Sequence, residues 1–222
     1  MEAQNRSSAL VDERGVAGWE IISVASSALI AELAIQSLAG RAKWLGLIPI
    51  VLALSLMFFS HRQRGETLRT LGFRFDNFVP ALRLAILPTI VVIVLILLAS
   101  WLLSSSGFSL RPVRMRLLLV PLWALFQQYA LQGFINRRAQ LAFGPGLKSI
   151  LVVALVFSLL HLPGPLLILL AFAGGLVLGW IYQRQANLFA VALSHALVSL
   201  TLSLVIPAHF AYQLRIGFKY FG

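Results

Sequence analysis

The chain has 222 residues, of which 59% are hydrophobic and only 11% are charged, and it contains no cysteine. This composition excludes an ordinary soluble enzyme, a disulfide framework and thiolate chemistry, and it predicts an integral membrane protein. The formal net charge of +11 is spread over short connections between apolar segments, which favours anionic lipid head groups over nucleic acid as the partner.

Residues 1–17 are polar and carry both signs of charge, which predicts a short exposed tail rather than a cleavable signal. Apolar stretches follow, each near the ~20 residues that cross a bilayer. They run over residues 19–38, 44–60, 81–103, 117–135, 147–162, 166–182 and 188–206, and the aromatic and basic segment 207–222 is expected at the membrane interface. We therefore expect an all-α integral membrane bundle of about seven transmembrane helices, with residues 1–222 as a single domain.

Acidic residues are confined to the first part of the chain, because no carboxylate side chain follows Asp76. Any carboxylate chemistry in the second half must therefore borrow from the first half. Glu32 lies inside the first apolar stretch, where an ionised side chain is costly. We expect it to be protonated or paired and to point into the bundle, and it is a candidate to supply a carboxylate near the glutamines described next.

Three glutamines, Gln127, Gln128 and Gln132, form a polar stripe inside the fourth apolar stretch. Gln128 and Gln132 share a helix face, and Gln127 lies about a hundred degrees round the helix. A polar side chain at membrane depth is a candidate site, although hydrogen bonding between helices explains such a stripe equally well.

Two histidines lie in the following apolar stretches. His161 closes one of them just before a Pro-Gly-Pro break, with Phe157 one turn earlier, and His195 lies well inside the last one, with Ser199 one turn later. A single histidine of this kind often caps a helix or satisfies a buried hydrogen bond. Two histidines beside a glutamine stripe are rarer, and we expect Gln127 or Gln128 to share one cavity with both.

The order and spacing of these groups resemble the CAAX-protease/bacteriocin-processing family of intramembrane peptidases. That family carries Glu-Glu-x-x-x-Arg, Phe-x-x-x-His and His-x-x-x-Asn on successive helices. Here the second motif is intact as Phe157-Ser-Leu-Leu-His161, and the third is half intact as His195-Ala-Leu-Val-Ser199. The stretches RGETLRTLGFRF and GGLVLGWIYQRQANLFAVALSHAL also look like the family, so the resemblance covers residues 64–200, with core helices over about 117–206.

The first motif departs from the family pattern, since it reads Gln127-Gln128-Tyr-Ala-Leu-Gln132. Both glutamates and the arginine are replaced by glutamine, and Ser199 stands in place of the asparagine. A glutamine amide cannot take a proton from water, so it can only orient water or a neighbouring ring. The three glutamines of the first motif keep its hydrogen bonding but remove the buried charges of the family motif.

The resemblance implies a role for each of these residues. His161 becomes the base that activates water, Gln127 or Gln128 orients the water or the ring, and His195 with Ser199 holds the oxyanion; Gln132 occupies the arginine position of the same site. A metal held by His161 and His195 would lack the carboxylate or third histidine that catalytic zinc usually has. We therefore expect no cofactor.

Two functions follow from the resemblance. The chain is either a divergent intramembrane endopeptidase acting on a membrane-associated peptide or protein, or an inactive relative that binds such a peptide or partner in immunity or sorting. A small transporter is a third hypothesis, against which the absence of repeated halves argues. The expected location is a bacterial plasma (inner) membrane, with lipid as a constant partner and no nucleic acid.

Overall fold

A computed structural model describes residues 2–35, 45, 47–103 and 114–205. Its regular structure in these ranges is entirely helical. The elements are α1 (Glu2–Leu29) with a π-helical continuation (Ile30–Ile35), α2 (Leu47–Gln63), α3 (Phe78–Leu103), α4 (Arg114–Gln128), a second π-helical segment (Tyr129–Asn136), α5 (Arg137–Phe143), α6 (Leu147–Leu159), α7 (Pro165–Arg184) and α8 (Leu188–Val205).

Five helical stretches in the described ranges are long and apolar enough to cross a membrane, and two shorter apolar helices accompany them. The five are Asp12–Leu33, Phe78–Leu102, Leu117–Phe143, Pro165–Arg184 and Leu188–Val205. Large apolar side chains such as Trp19 and Leu118 are about 70% exposed on the outside of the bundle, as lipid-facing residues should be. The protein is a multi-pass integral membrane protein, which confirms the predicted fold class.

The predicted N-terminal tail belongs to a helix. α1 begins at Glu2, because the segment contains helix-forming residues and no proline that would separate it from the apolar stretch. Residues 12–16 are exposed, as predicted for a polar segment, but the carboxylate of Glu13 accepts a hydrogen bond from Arg64 at 2.9 Å. The interfacial segment predicted for residues 207–222 lies outside the described residues.

The fourth predicted span is longer than its apolar run. α4, the π-helical segment and α5 form one continuous helical stretch that extends to Phe143. π-Helical turns are frequent at functional sites because they change which side chains share a face. Here the change begins at Tyr129, directly after Gln128, so the glutamine stripe straddles it.

The connection between α2 and α3 is bound to the end of α7 and to the start of α8. Tyr182 donates a hydrogen bond to the carbonyl of Leu71 at 2.8 Å, and Gly72 accepts one from the amide of Leu188 at 2.9 Å. Gly72 has a φ of 98°, which strains any other residue, and a Cβ there would lie only 3.1 Å from the Leu188 nitrogen. Asn187 caps α8 by accepting from the amide of Ala190. These contacts fix α8, which carries His195.

α6 and α7 form a close helical hairpin. A Cβ added to Gly175 would lie 2.6 Å from the Cα of Ala154, which is closer than two carbon atoms can approach. The small side chains let the backbones meet, as in other membrane helix pairs. This packing places the end of α6, and therefore His161, against α7.

Replacing Gly175 by leucine should separate α6 from α7 and destabilise the protein by about 1–3 kcal/mol, the usual cost of overpacking. Gly174→Leu is the matched control, because a Cβ there meets nothing closer than 3.9 Å, at the ring of Phe157. Unfolding in mixed detergent micelles measures both free energies. Equal effects of the two changes would contradict the proposed contact.

Candidate active site

A cavity of about 170 Å³ lies where α3, the end of α6, α7 and α8 meet. Most of its lining is apolar. The polar side chains at its wall are Thr89, His161, Ser194, His195 and Ser199, and no aspartate or glutamate lies among the lining residues. Any proton transfer inside this cavity therefore depends on the two histidines.

His161 lies in the turn between α6 and α7 and is buried. Its Nδ1 is 2.7 Å from the carbonyl oxygen of Phe157, one helical turn earlier. Because a carbonyl oxygen can only accept, Nδ1 carries the hydrogen and donates it. The Nε2 atom of the neutral ring is then left with its lone pair, which is the form of histidine that accepts a proton.

His195 lies on α8 and is held from α4. The amide nitrogen of Gln128 is 3.0 Å from Nδ1 of His195, and an amide nitrogen can only donate. With the amide in this orientation Nδ1 accepts, so the neutral ring carries its hydrogen on Nε2. His195 is therefore a hydrogen-bond donor on its other side, the opposite of His161.

The ring of Phe157 contacts both histidines. Its centroid lies 4.7 Å from the His161 ring and 5.4 Å from the His195 ring, with the planes nearly perpendicular in both pairs. The two imidazoles therefore pack against the same aromatic ring at the wall of the cavity.

Of the two serines at the wall, Ser199 has the available hydroxyl. The hydroxyl of Thr89 donates to the carbonyl of Ala85 at 2.6 Å, so the hydroxyl of Ser194, 2.6 Å from Thr89, is the donor in that pair. Ser199 makes no hydrogen bond within the described part of the chain, and it lines the cavity. It lies one turn beyond His195 and can donate toward the same space.

The glutamines separate in the structure. Gln128 is fully buried and bound to His195, whereas Gln127 is half-buried, and neither side chain lines the cavity. Gln132 is also fully buried, but its bonded partner is Asn136, at 2.7 Å from its side-chain oxygen. The structure therefore places His161, His195 and Ser199 at one cavity, and it joins Gln128 to that group only through its bond to His195. None of the three glutamines lines the cavity itself.

Sequence reasoning missed a network of amides next to the site. Asn136 is fully buried and binds both Gln132 and Gln183, and Gln183 also binds Ser149 at 2.9 Å. The signal in the sequence was the spacing of Gln132 and Asn136, four positions apart in an apolar helix.

Sequence reasoning also missed an ionic cluster at the end of the bundle that carries the α2–α3 connection. Arg138 is fully buried and contacts Glu66 at 2.7 Å and Glu20 at 3.1 Å. Glu66 also accepts hydrogen bonds from His61 and Arg137, each at 2.6 Å. Burial by itself raises the pKa of the Glu66 carboxyl, but the hydrogen bonds from His61 and the two arginines outweigh it and hold that pKa well below its usual range.

Carboxylates of the first half therefore pair with arginines of the second half, but outside the cavity. Glu32 is half-buried in the first π-helical segment. The side-chain nitrogen of Gln132 has no hydrogen-bond partner in the described part, so Glu32 does not bond directly to it. In the described residues no group of three or more His, Asp or Glu side chains is arranged to hold a metal ion.

A protein-family model matches part of the chain. Residues 109–201 match the family model described as Type II CAAX prenyl endopeptidase Rce1-like. No curated protein matches the chain, and no solved structure does. The matched range contains the three motif positions and both histidines of the cavity.

Proposed function

We propose that this chain, which belongs to the CAAX-protease family through residues 109–201, is an intramembrane endopeptidase whose catalytic base is His161. The observation that carries the proposal is the complementary state of the two histidines at one cavity. His161 presents a lone pair because its Nδ1 is bonded to a carbonyl, and His195 presents an N–H because its Nδ1 is bonded to an amide nitrogen.

Peptide hydrolysis needs both of these groups. A base must take a proton from water as its oxygen attacks the peptide carbonyl, and donors must stabilise the negative charge that develops on the carbonyl oxygen. Nε2 of His161 is the proposed acceptor of the water proton. Nε2–H of His195 and the hydroxyl of Ser199 are the proposed donors to the oxyanion.

These residues alone can take and return the proton that peptide hydrolysis requires. Water forms a bond to the carbonyl carbon while His161 takes its proton, which leaves an imidazolium and a tetrahedral oxyanion. When the oxyanion collapses, the carbon–nitrogen bond breaks, and the imidazolium of His161 gives its proton to the leaving amine. We propose no metal or other cofactor for this sequence of steps.

The apolar wall of the cavity favours the proposal that the substrate is itself associated with the membrane. Aside from the five polar residues at the wall, the lining consists of leucine, valine, alanine, glycine, proline and phenylalanine. A membrane-associated peptide or protein has apolar groups that can pack against this wall, and we propose it as the substrate. We also propose that the enzyme acts in a bacterial plasma membrane. Purified protein in lipid nanodiscs should cleave members of a panel of lipid-anchored and membrane-inserted peptides, with new termini identified by mass spectrometry.

Replacing Ser199 by alanine should lower kcat by about 100-fold with little change in KM, because one oxyanion donor is lost and such donors act mainly in the transition state. Ser199→Asn should retain most of the activity, since its amide restores a donor. Ser158→Ala is the control, because Ser158 bonds within α6 and does not line the cavity. Unchanged kcat in Ser199→Ala would remove Ser199 from the mechanism. Binding of peptides without cleavage by the wild type would favour a non-catalytic binding protein.

A further inference from the structure

The side-chain amides beside the site form a series of hydrogen bonds that all run in one donor-to-acceptor direction. A backbone amide at one end sets that direction. The N–H of Gly146, between α5 and α6, can only donate, and it is 2.8 Å from the side-chain oxygen of Gln183. The nitrogen of the same amide group therefore faces the other way, and it donates to the side-chain oxygen of Asn136 at 2.8 Å. The orientation of Gln183 is thus fixed from the end of the helix hairpin.

The hydrogen bonds keep the same donor-to-acceptor direction from Asn136 to Gln132. Because Asn136 accepts on its oxygen, its nitrogen is the donor to the side-chain oxygen of Gln132 at 2.7 Å, and also to the carbonyl of Gly179 at 3.3 Å. The nitrogen of Gln132 then points onward without a partner in the described part of the chain. We call the series Gly146, Gln183, Asn136 and Gln132 the amide relay.

A second unpartnered atom lies on the neighbouring turn. The side-chain oxygen of Gln128, whose nitrogen holds His195, also has no hydrogen-bond partner among the described residues. Both glutamines are fully buried. A buried donor and a buried acceptor that both lack partners each carry an uncompensated desolvation cost.

We propose that Gln128 and Gln132 bind one buried water molecule, which joins the amide relay to His195. Water accepts the N–H of Gln132 and donates to the oxygen of Gln128, so it satisfies both atoms with the polarity that the relay imposes. Buried waters characteristically occupy polar sites of this kind. Gln132, Asn136 and Gln183 are then positioning residues that act through Gln128.

The water has a consequence for His195. Gln128 can rotate its amide by half a turn, and its oxygen would then accept a hydrogen from Nδ1 of His195 and leave Nε2 without one. A water that donates to the oxygen of Gln128 opposes this rotation and holds His195 with its hydrogen on Nε2. The inference rests on the proposed function only for the use of that N–H as an oxyanion donor, because the tautomer itself exists without substrate.

The test is ¹⁵N NMR of protein labelled at histidine in lipid nanodiscs, with the His195 signals assigned from a His195→Gln variant. The wild type should show His195 as the Nε2–H tautomer. Gln132→Met should shift the tautomer ratio by about fivefold toward Nδ1–H, the change expected from one neutral hydrogen bond. Gln140→Met is the matched control, because Gln140 also donates to Asn136 but lies off the relay, and its ratio should not change.

The water is detected separately in protein labelled at glutamine, as magnetisation transfer from water to the side-chain amide protons of Gln132. A wild-type His195 with its hydrogen on Nδ1 would overturn the proposal without any variant. An unchanged tautomer ratio of His195 in Gln132→Met would also overturn it. If no magnetisation passes from water to the side-chain amide protons of Gln132, the proposed water molecule is not there. Because no readout uses cleavage, an inactive protein with the expected tautomer would contradict the proposed function and leave this inference standing.

Discussion

Replacing His161 by alanine should lower the rate of peptide cleavage by at least about 100-fold, since general base catalysis contributes about 10²–10⁴. No carboxylate lines the cavity, and His195 has its Nδ1 occupied by Gln128. His161 is therefore the one group at the wall that can take a proton from water in the proposed mechanism. The loss should appear in kcat, measured in nanodiscs with a peptide that the wild type cleaves.

Two further variants distinguish the loss of the catalytic base from a loss of packing in the turn between α6 and α7. His161→Gln retains a polar side chain that cannot accept the proton, and it should be as inactive as alanine. Leu162→Ala changes the next residue of the same turn and should keep most of the activity. Cleavage that survives both changes at His161 would eliminate the proposed mechanism, whatever the behaviour of Leu162→Ala.

Hydropathy alone predicted the helical membrane fold, because a bilayer requires long apolar helices and little else. It could not predict where helices continue beyond their apolar stretches. α1 begins at Glu2, and the fourth span continues through α5 to Phe143, although both extensions are polar. Their stability comes from contacts with other elements, such as that of Glu13 with Arg64, and hydropathy does not contain such contacts.

Motif spacing predicted His161 and His195 as candidate site residues, and it is compatible with either Gln127 or Gln128 as their neighbour. Adjacent residues on a helix differ by about a hundred degrees, so an error of one residue in the helix register exchanges the two. The π-helical segment that begins at Tyr129 changes that phase without a marker in the sequence. The structure selects Gln128 through its bond to His195.

The ionic cluster was beyond sequence reasoning for a different reason. Glu66 and Arg138 are separated by 72 positions, and neither belongs to a motif that indicates a partner. The absence of carboxylates after Asp76 indicated only that a buried cation in the second half would need an acid from the first half. The fold supplies two, Glu20 and Glu66, to one fully buried arginine.

Replacing Glu66 by glutamine should destabilise the protein by about 3 kcal/mol, the lower end of the cost of removing one partner from a buried ion pair. The lower end is expected because Glu20 remains 3.1 Å from Arg138. Unfolding with a denaturing detergent in mixed micelles at neutral pH measures the change. Asp76→Asn is the control, since Asp76 pairs with Arg69 and Arg74 on an exposed part of the same connection, where ion pairs stabilise little.

The stabilisation by Glu66 should also depend on pH in a defined direction. Its folded-state pKa lies well below the ordinary value of 4.5, so its contribution is complete above that value and is lost as the pH falls through the lowered folded-state pKa. Glu66→Gln should therefore converge with the wild type in stability at strongly acidic pH and differ most above the ordinary value. Equal losses of stability in Glu66→Gln and Asp76→Asn would show that the ionised carboxylate of Glu66 does not stabilise the fold through Arg138. A stability difference between Glu66→Gln and the wild type that does not narrow in acid would show the same.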